Sequence, residues 1–249
     1  MIASERKLYI MKSLNQKGII NLKDIARELD ISEITVRRDF EKLEKEGRLK
    51  RVQGGAALEN LLDNAEPTAK EKSTQNLSEK RRVAQFAADY VHDGDCVFID
   101  SGSSMVPLMS ALENKHIRIV TYNNLLMKSS PAPTAAELFI VGGRYIPFSS
   151  MNVGPIAQKI LRQFHFDIAF LGCASLDVSN GICYETEMES LLMKQIAMEN
   201  SDKKYLLIDS SKLEKQGFLQ FTKIDCFDEV FCDKPQNEKY VGVNNLTFI

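Results

Sequence analysis

Apolar residues recur at helical spacing in three successive stretches at the start of the chain. Leu8, Met11 and Leu14 fall on one face of a helix predicted over 4–17, which Lys17-Gly18 ends. Ile19-Ile20-Asn21 then reads as a short strand. Ile25, Ala26 and Leu29 mark a second helix, Asp30-Ile31-Ser32 breaks the pattern, and Val36, Phe40 and Leu43 mark a third. Ser32 suits its N-cap, because a hydroxyl there can accept from a free amide one turn on, and Glu33 complements the positive helix end. Gly47 supplies the left-handed residue that closes such a helix. Arg48, Lys50, Arg51 and Gln53 precede Gly54-Gly55, the composition of a basic two-stranded wing. A helix-turn-helix with a wing is therefore predicted over Asn21–Gly55.

The pattern changes at Ala56. Few large apolar residues occur up to Ser78, which predicts a linker over 58–78, part helix and part extended, between units at 1–57 and 79–249. Beyond it, short apolar strands alternate with amphipathic helices. Strands are predicted at Cys96–Asp100, Ile117–Thr121, Leu138–Val141, Asp167–Leu171, Tyr205–Ile208 and Glu229–Cys232. Helices are predicted at Glu79–Val91, Val106–Asn114, Gly154–Phe164 and Glu187–Glu199. That alternation implies an α/β domain, with a mainly parallel sheet covered on both faces.

Charge sharpens the division. Residues 1–55 carry 13 Lys/Arg against 9 Asp/Glu, whereas the remainder carries 19 against 25. A basic head on an acidic body suits nucleic-acid binding by the head. With Val36, Phe40 and Leu43 turned inward, Thr35, Arg37 and Arg38 are left on faces that can reach a duplex, where Arg can donate two bonds to guanine. Lys50 and Arg51 are placed to touch phosphate. A plain amphipathic hairpin with a solvated face is the alternative reading of the same pattern. The five cysteines are scattered without a CxxC pair, so neither a disulfide framework nor a zinc site is expected. No cofactor is expected either. No apolar run approaches the roughly 20 residues of a membrane span, and the charged N-terminus does not read as a signal peptide, so a cytoplasmic location is expected.

The predicted strands end in polar or glycine-rich turns. Asp100-Ser101-Gly102-Ser103-Ser104 joins a strand to a helix, where Gly permits close approach and hydroxyls donate, as an anion site requires. A plain β–α turn has the same composition. Thr121-Tyr122-Asn123-Asn124, Gly142-Gly143-Arg144, Gly172 and Asp209-Ser210-Ser211-Lys212 end other strands, and ligands of such sheets lie past their carboxyl ends. Lys194, on a helix, and Lys212, in a loop, are candidates to neutralise a phosphate or hold a sugar hydroxyl, or are ordinary surface lysines.

Two sets of motifs carry a family resemblance. S-E-I-T-V-R-R-D-F-x-x-L-E-x-E-G-x-L-x-R-V-x-G-G-A, which begins at Ser32, closely resembles the signature of the DeoR family of bacterial transcriptional regulators. The Asp-Ser-Gly-Ser-Ser, Thr-x-Asn, Val-Gly-Gly, Phe-Asp-x-Ala-Phe-x-Gly and Asp-x-Ser-Lys elements resemble that family's C-terminal domain. The resemblance implies a Rossmann-like domain similar to ribose-5-phosphate isomerase and glucosamine-6-phosphate deaminase, sensing a phosphorylated sugar. It implies that Gly102, Ser103 and Ser104 hold phosphate, and that Asn123, Gly142, Gly143, Gly172 and Lys194 line the sugar with Lys212 close by. Ser32, Thr35, Arg37, Arg38, Lys50 and Arg51 would contact operator DNA, in a homodimer or homotetramer. Two departures stand out: Pro67-Thr68-Ala69-Lys70 lacks the family's aromatic and Arg, and Cys173-Ala174-Ser175 replaces small Gly/Ser residues, which would narrow the pocket. Glu185 and Glu187 either face sugar hydroxyls or start the next helix, the second being preferred.

The rival expectation is a sugar-phosphate isomerase carrying a DNA-binding domain. Isomerisation needs a positioned base, and the turn Leu171-Gly172-Cys173-Ala174-Ser175 has no carboxylate. A sensor without turnover is the preferred reading. A DNA-binding protein whose second domain only dimerises is the third.

Overall fold

The computed structural model describes residues 3–52, 54–57, 68–129, 135–233, 240 and 245–249. Gln53 and the first ten residues of the expected linker, 58–67, lie outside them. The chain divides into two compact units, Met1–Glu66 and Pro67–Ile249.

In the first unit, α1 (Ala3–Lys17), α2 (Leu22–Glu28) and α3 (Glu33–Lys45) precede a sheet of β1 (Ile19–Asn21), β2 (Lys50–Val52) and β3 (Gly55–Ala57), in the order β1-β3-β2. Ile10, Leu14, Ile25, Val36, Phe40 and Leu43 form its core. The inward face of α1 differs from the expected one. Ile10 and Leu14 are buried while Leu8 is 69% exposed, because Ile10 rather than Leu8 lies one turn before Leu14. Ser32 caps α3, accepting from the Thr35 amide at 3.2 Å. Gly47, at φ +66°, ends that helix: its amide donates to Glu44 O (2.9 Å) and that of Arg48 to Leu43 O (2.9 Å). That pair of bonds is a Schellman closure, which needs the left-handed residue. At Gly55 a Cβ would lie 2.1 Å from Ile20 O, so only glycine lets β3 pair with β1.

The second unit is a seven-stranded parallel sheet. Its strands are β4 (Cys96–Ile99), β5 (Arg118–Thr121), β6 (Glu137–Ile140), β9 (Phe166–Leu171), β12 (Ser201–Ile208), β14 (Glu229–Cys232) and β15 (Leu246–Phe248). Their order is β15-β14-β12-β9-β4-β5-β6. Alternation along each strand feeds two cores. Val97, Ile99, Phe170 and Leu207 pack with α5 (Leu77–Ala88) and α6 (Met105–Ala111). Phe98, Ala169, Leu171 and Leu206 pack with α8 (Pro155–Leu161) and α9 (Met188–Glu199).

Several elements were not predicted. They are α4 (Ala69–Thr74), α7 (Asn124–Ser129), the hairpin of β7 (Arg144–Ile146) with β8 (Met151–Val153), and a small antiparallel sheet. That sheet comprises β10 (Ser175–Asp177), β11 (Ile182–Glu185) and β13 (Leu219–Lys223). α4 lies within the stretch expected to be linker. Thr68 caps it with a full capping box to Glu71, and the Ala69 amide donates to Phe148 O at 3.0 Å, so residues 68–78 are part of the second unit. Among the described residues no helix is long and apolar enough to cross a membrane.

Strand order locates a crevice. From β4 the chain steps outward through β5 to β6. It then returns to the other side of β4 with β9 and proceeds through β12 to β15. The reversal falls between β4 and β9, and the loops leaving adjacent strands there diverge to opposite faces and open a cleft.

Candidate functional site

A cavity does lie at that reversal. Ser101, Gly102, Ser103 and Ser104 after β4, and Gly172, Cys173 and Ala174 after β9, form its two lips, and Lys212 enters after β12. Glu185, Glu187, Ser190 and Lys194 close one side, Ala69 and Lys72 of α4 another, and Phe148 and Ser149 a third. The cavity therefore collects Gly102, Ser103, Ser104, Gly172, Lys194 and Lys212 from the candidate residues.

Three candidates are elsewhere. Asn123 is fully buried and its amide is consumed internally: Nδ2 donates to Asp100 O (3.1 Å) and Oδ1 accepts from the Leu125 amide (2.9 Å). Gly142 and Gly143 follow β6, the edge strand, and are exposed and outside the cavity lining. A Cβ at Gly143 would lie 2.7 Å from Val153 O, so this glycine admits the β8 backbone. The physical reasons differ, internal hydrogen bonds for Asn123 and strand position for the two glycines. β6 is the edge strand, two strands from the β4–β9 reversal, and β5 reaches the floor of the cavity only through Tyr122, whose hydroxyl donates to Asp100.

The floor of the cavity is a closed electrostatic cluster. Asp100 is fully buried; Oδ1 accepts from Tyr122 OH (2.6 Å), and Oδ2 accepts from the Gly172 amide (2.9 Å) and faces Lys194 Nζ at 3.1 Å. Lys194 also donates to Gly172 O at 2.6 Å and to Glu185 Oε2, while Glu185 Oε1 accepts from the Thr186 amide at 2.9 Å. Burial alone would lower the Lys194 pKa, but Asp100 and Glu185 outweigh it and hold the ammonium well above its ordinary value. Burial beside Asp100 pushes the Tyr122 phenol up, so it remains a donor. Lys194 thus has three acceptors for three N–H groups. It organises the floor rather than offering a free charge to a ligand.

The preferred reading of the two glutamates changes as well. Glu185 lies in strand β11 and is buried in the cluster. Glu187 stands at the N-cap of α9 but makes no capping bond, accepting instead from Ser149 Oγ at the cavity wall.

Further cationic groups lie near Ser103. No protein acceptor is seen, among the described residues, for the amides of Gly102, Ser103 and Ser104. Lys72 and Lys212 line the cavity, and Lys80 of α5 donates to Ser103 Oγ at 3.1 Å. Lys72 and Lys80 were missed in the sequence, where lysines on helices read as solvated. Among the described residues no group of three metal-ligating side chains is found.

In the first unit, Ser32, Arg37 and Arg38 are exposed and Thr35 is half-buried, with Ser32 Oγ and Thr35 Oγ1 2.9 Å apart. Neither Arg37 nor Arg38 forms an ion pair among the described residues. Asp39, between them and the core, is buried and held by Arg6, Nε donating to Oδ2 at 2.8 Å and Nη2 to Oδ1 at 3.3 Å; this fixes α3 on α1. Arg51 differs from the expectation. Its Nε donates to Glu44 Oε2 (2.7 Å) and Nη1 to Glu41 Oε1 (2.9 Å), while its backbone amide donates to Glu44 Oε1 (2.9 Å). Arg51 ties the wing to α3 and its charge is largely answered there. We expect Lys50→Ala to reduce the salt slope of operator binding by about one. Arg51→Ala should chiefly speed hydrogen exchange across the β2–β3 ladder. An Arg51→Ala slope that drops by about one with exchange unchanged would instead make it a direct phosphate contact.

The comparisons with known proteins agree with this division. Residues 6–60 match the DeoR-like helix-turn-helix domain, and residues 75–234 match the DeoR C terminal sensor domain. The chain is similar to the lactose phosphotransferase system repressor of Staphylococcus epidermidis strain RP62A, with 31% identity over 235 residues covering 92% of each chain. It is similar to the repressor of the same name from Streptococcus mutans, with 28% identity over 252 residues covering 100% of this chain and 99% of that one. Among solved structures, ribose 5-phosphate isomerase A from Methanocaldococcus jannaschii superposes with a TM-score of 0.41 at 18% identity, over 57% of this chain and 56% of that one. With its head and its sensor unit both matching that family's own domains, this chain belongs to the DeoR family of transcriptional regulators.

Proposed function

We propose that this regulator represses a sugar-metabolism operon and that a phosphorylated sugar in the crevice between β4 and β9 controls its hold on the operator. The observation that carries the reading is the lining of that crevice: loop amides with no protein acceptor among the described residues, serine hydroxyls and lysines around Ser101–Ser104, and the Glu187 carboxylate at the wall. A phosphate monoester suits the Ser101–Ser104 loop, because backbone amides and ammonium groups donate to its oxygens. A polyol suits the Glu187 carboxylate at the wall. Repression as the direction is supported by the names of the relatives.

The engagement of the acids favours sensing over turnover. Asp100 and Glu185 are both tied into the Lys194 cluster, and a base that abstracts a proton must be free to face the substrate carbon. Ser32, Thr35, Arg37, Arg38 and Lys50 would meet the operator. One reading helix specifies few base pairs, so two or more heads, and at least a homodimer, are part of the proposal. Ligand control then requires different affinities for two arrangements of those heads.

The experiment is a thermal-shift panel of sugar phosphates beside their parent sugars, since a ligand of the folded state raises its stability. At least one phosphorylated sugar should raise the melting temperature and its parent should not. Ser104→Ala should then raise the concentration of that sugar phosphate needed for operator release by roughly tenfold or more, the value of a lost bond to a charged group. No shift with any sugar phosphate would return the second unit to a purely dimerising role.

A further inference from the structure

The outer face of α3 carries one apolar side chain among charged ones. Val36, Asp39, Phe40 and Leu43 are buried and turn one side of the helix inward. Helical spacing then places Ile34, Arg38, Glu41 and Lys45 along the opposite stripe, with Arg37 one turn from Ile34 at its flank. Ile34 is 67% exposed and stands outside the core of the head, so its packing explains nothing about it. A single exposed apolar residue is ordinary, and this one is set apart by its neighbours. Charge along the stripe is sorted by position. Arg37 and Arg38, beside Ile34, form no ion pair among the described residues. Glu41 and Glu44, further along, would repel a phosphate backbone, but Arg51 answers both, at 2.9 and 2.7 Å. The hydroxyls of Ser32 and Thr35 are turned to each other, 2.9 Å apart. Unanswered positive charge and the apolar side chain therefore gather at the N-terminal end of α3, the end that a reading helix presents to base edges.

We propose that Ile34 packs against the 5-methyl group of a thymine in the major groove, beside the bases that Arg37 and Arg38 reach, and so makes this chain select a T·A pair there. This rests on the proposed meeting of α3 with the operator and adds a selectivity that the arginines do not supply, since arginine pairs best with guanine. The C5-methyl of thymine is the one methyl group on the base edges of that groove. A branched hydrocarbon side chain has no donor or acceptor, so it gains contact area from thymine alone. Set against the polar edge of guanine or adenine it would strip water from N7 and O6 or N6 and offer no hydrogen bond in return, which costs free energy. The preference is thus built both from attraction to thymine and from a penalty on its competitors. Ile34 carries no charge for phosphate. Its removal should change which duplex is preferred more than how firmly any duplex is held.

The test uses the full chain, selection from a randomised duplex library, and anisotropy with the duplex that wild type enriches. Wild type should enrich a motif containing a T·A pair that Ile34→Ala no longer enriches. Replacing that thymine by deoxyuridine removes only the methyl group, and should weaken wild-type binding about fourfold, the value of one buried methyl. Ile34→Ala should bind the thymine and uracil duplexes equally, because the two changes remove the same contact. Ile34→Val, which keeps a branched side chain, should retain part of the discrimination. Melting temperatures of both variants should match wild type, since the side chain lies outside the core. The same motif enriched by wild type and Ile34→Ala overturns the proposal, as does a wild type indifferent to every thymine-to-uracil replacement. Equal further loss in Ile34→Ala on both duplexes also overturns it, and moves the contact to a sugar. In each of these cases a motif changed by Arg37→Ala or Arg38→Ala leaves α3 as the reading helix. A motif unchanged by Ile34→Ala, Arg37→Ala and Arg38→Ala alike overturns this proposal and the placement of α3 on the operator together.

Discussion

Lys194→Ala should destabilise the sensor unit by about 3–5 kcal/mol, the cost of breaking a buried ion pair from one side. The substitution leaves Asp100, fully buried, and Glu185 without their shared cation, and it also strips a donor from Gly172 O. Chemical denaturation with a probe in the second unit measures it, and the lower midpoint should come with little change of slope. Lys194→Met should cost a similar amount, because the stem is retained and the charge is what is lost. A loss of under about 1 kcal/mol, the value of an exposed pair, would mean that the cluster is solvated and that Lys194 is free to meet the ligand directly.

Arg37→Ala and Arg38→Ala carry the second large effect. Each should weaken specific operator binding by roughly 1–3 kcal/mol if its side chain reads a base, with little change in the stability of the head, since both side chains are exposed and outside its core. Fluorescence anisotropy with operator and with scrambled duplex separates base reading from phosphate contact. A base-reading arginine changes the first affinity far more than the second. Equal losses on both duplexes would move that arginine to the phosphate backbone. Asp39, next in sequence, behaves differently: it is buried against Arg6, so its place in the motif is explained by packing α1 on α3 rather than by DNA.

Much of this was legible in the sequence, and the exceptions have physical causes. The head could be read because residues with a single local role bound its third helix, Ser32 as cap and Gly47 as closure. The central strands could be read because a sheet covered on both faces needs unbroken apolar runs such as Cys96–Ile99 and Phe166–Leu171. Strands β10, β11 and β13 were missed because they are three to five residues long and mix polar with apolar positions. In the first helix the face was misjudged by two residues, since Leu8 and Ile10 are equally apolar and only tertiary contact chooses between them. The α4 segment read as linker because its stability comes from a capping box and two backbone ties instead of an apolar face.

The same distinction runs through the candidate site. Ser103, Ser104 and Gly172 were identifiable because the loops that flank the strand-order reversal are short and carry their own chemistry. Asn123, Gly142 and Gly143 looked equivalent in sequence, but strand order, which no local pattern encodes, sets β6 at the sheet edge, and the Asn123 amide is taken up by Asp100 O and the Leu125 amide. Lys80 was invisible for the opposite reason. On a helix with Glu79, Arg81 and Arg82 it resembles any solvated charge, and only the docking of α5 behind the Ser103 loop buries it.

If an anion-accepting crevice governs the grip of a separate DNA-binding head, operator affinity must respond to the phosphoryl group and not to the sugar alone. Anisotropy of labelled operator, titrated with each phosphorylated sugar and with its unphosphorylated parent, measures that response. One phosphorylated sugar should weaken operator binding in a saturable way, while its parent at the same concentration leaves binding unchanged. Operator affinity indifferent to every phosphorylated sugar, or equally sensitive to a parent sugar, would contradict control through the crevice.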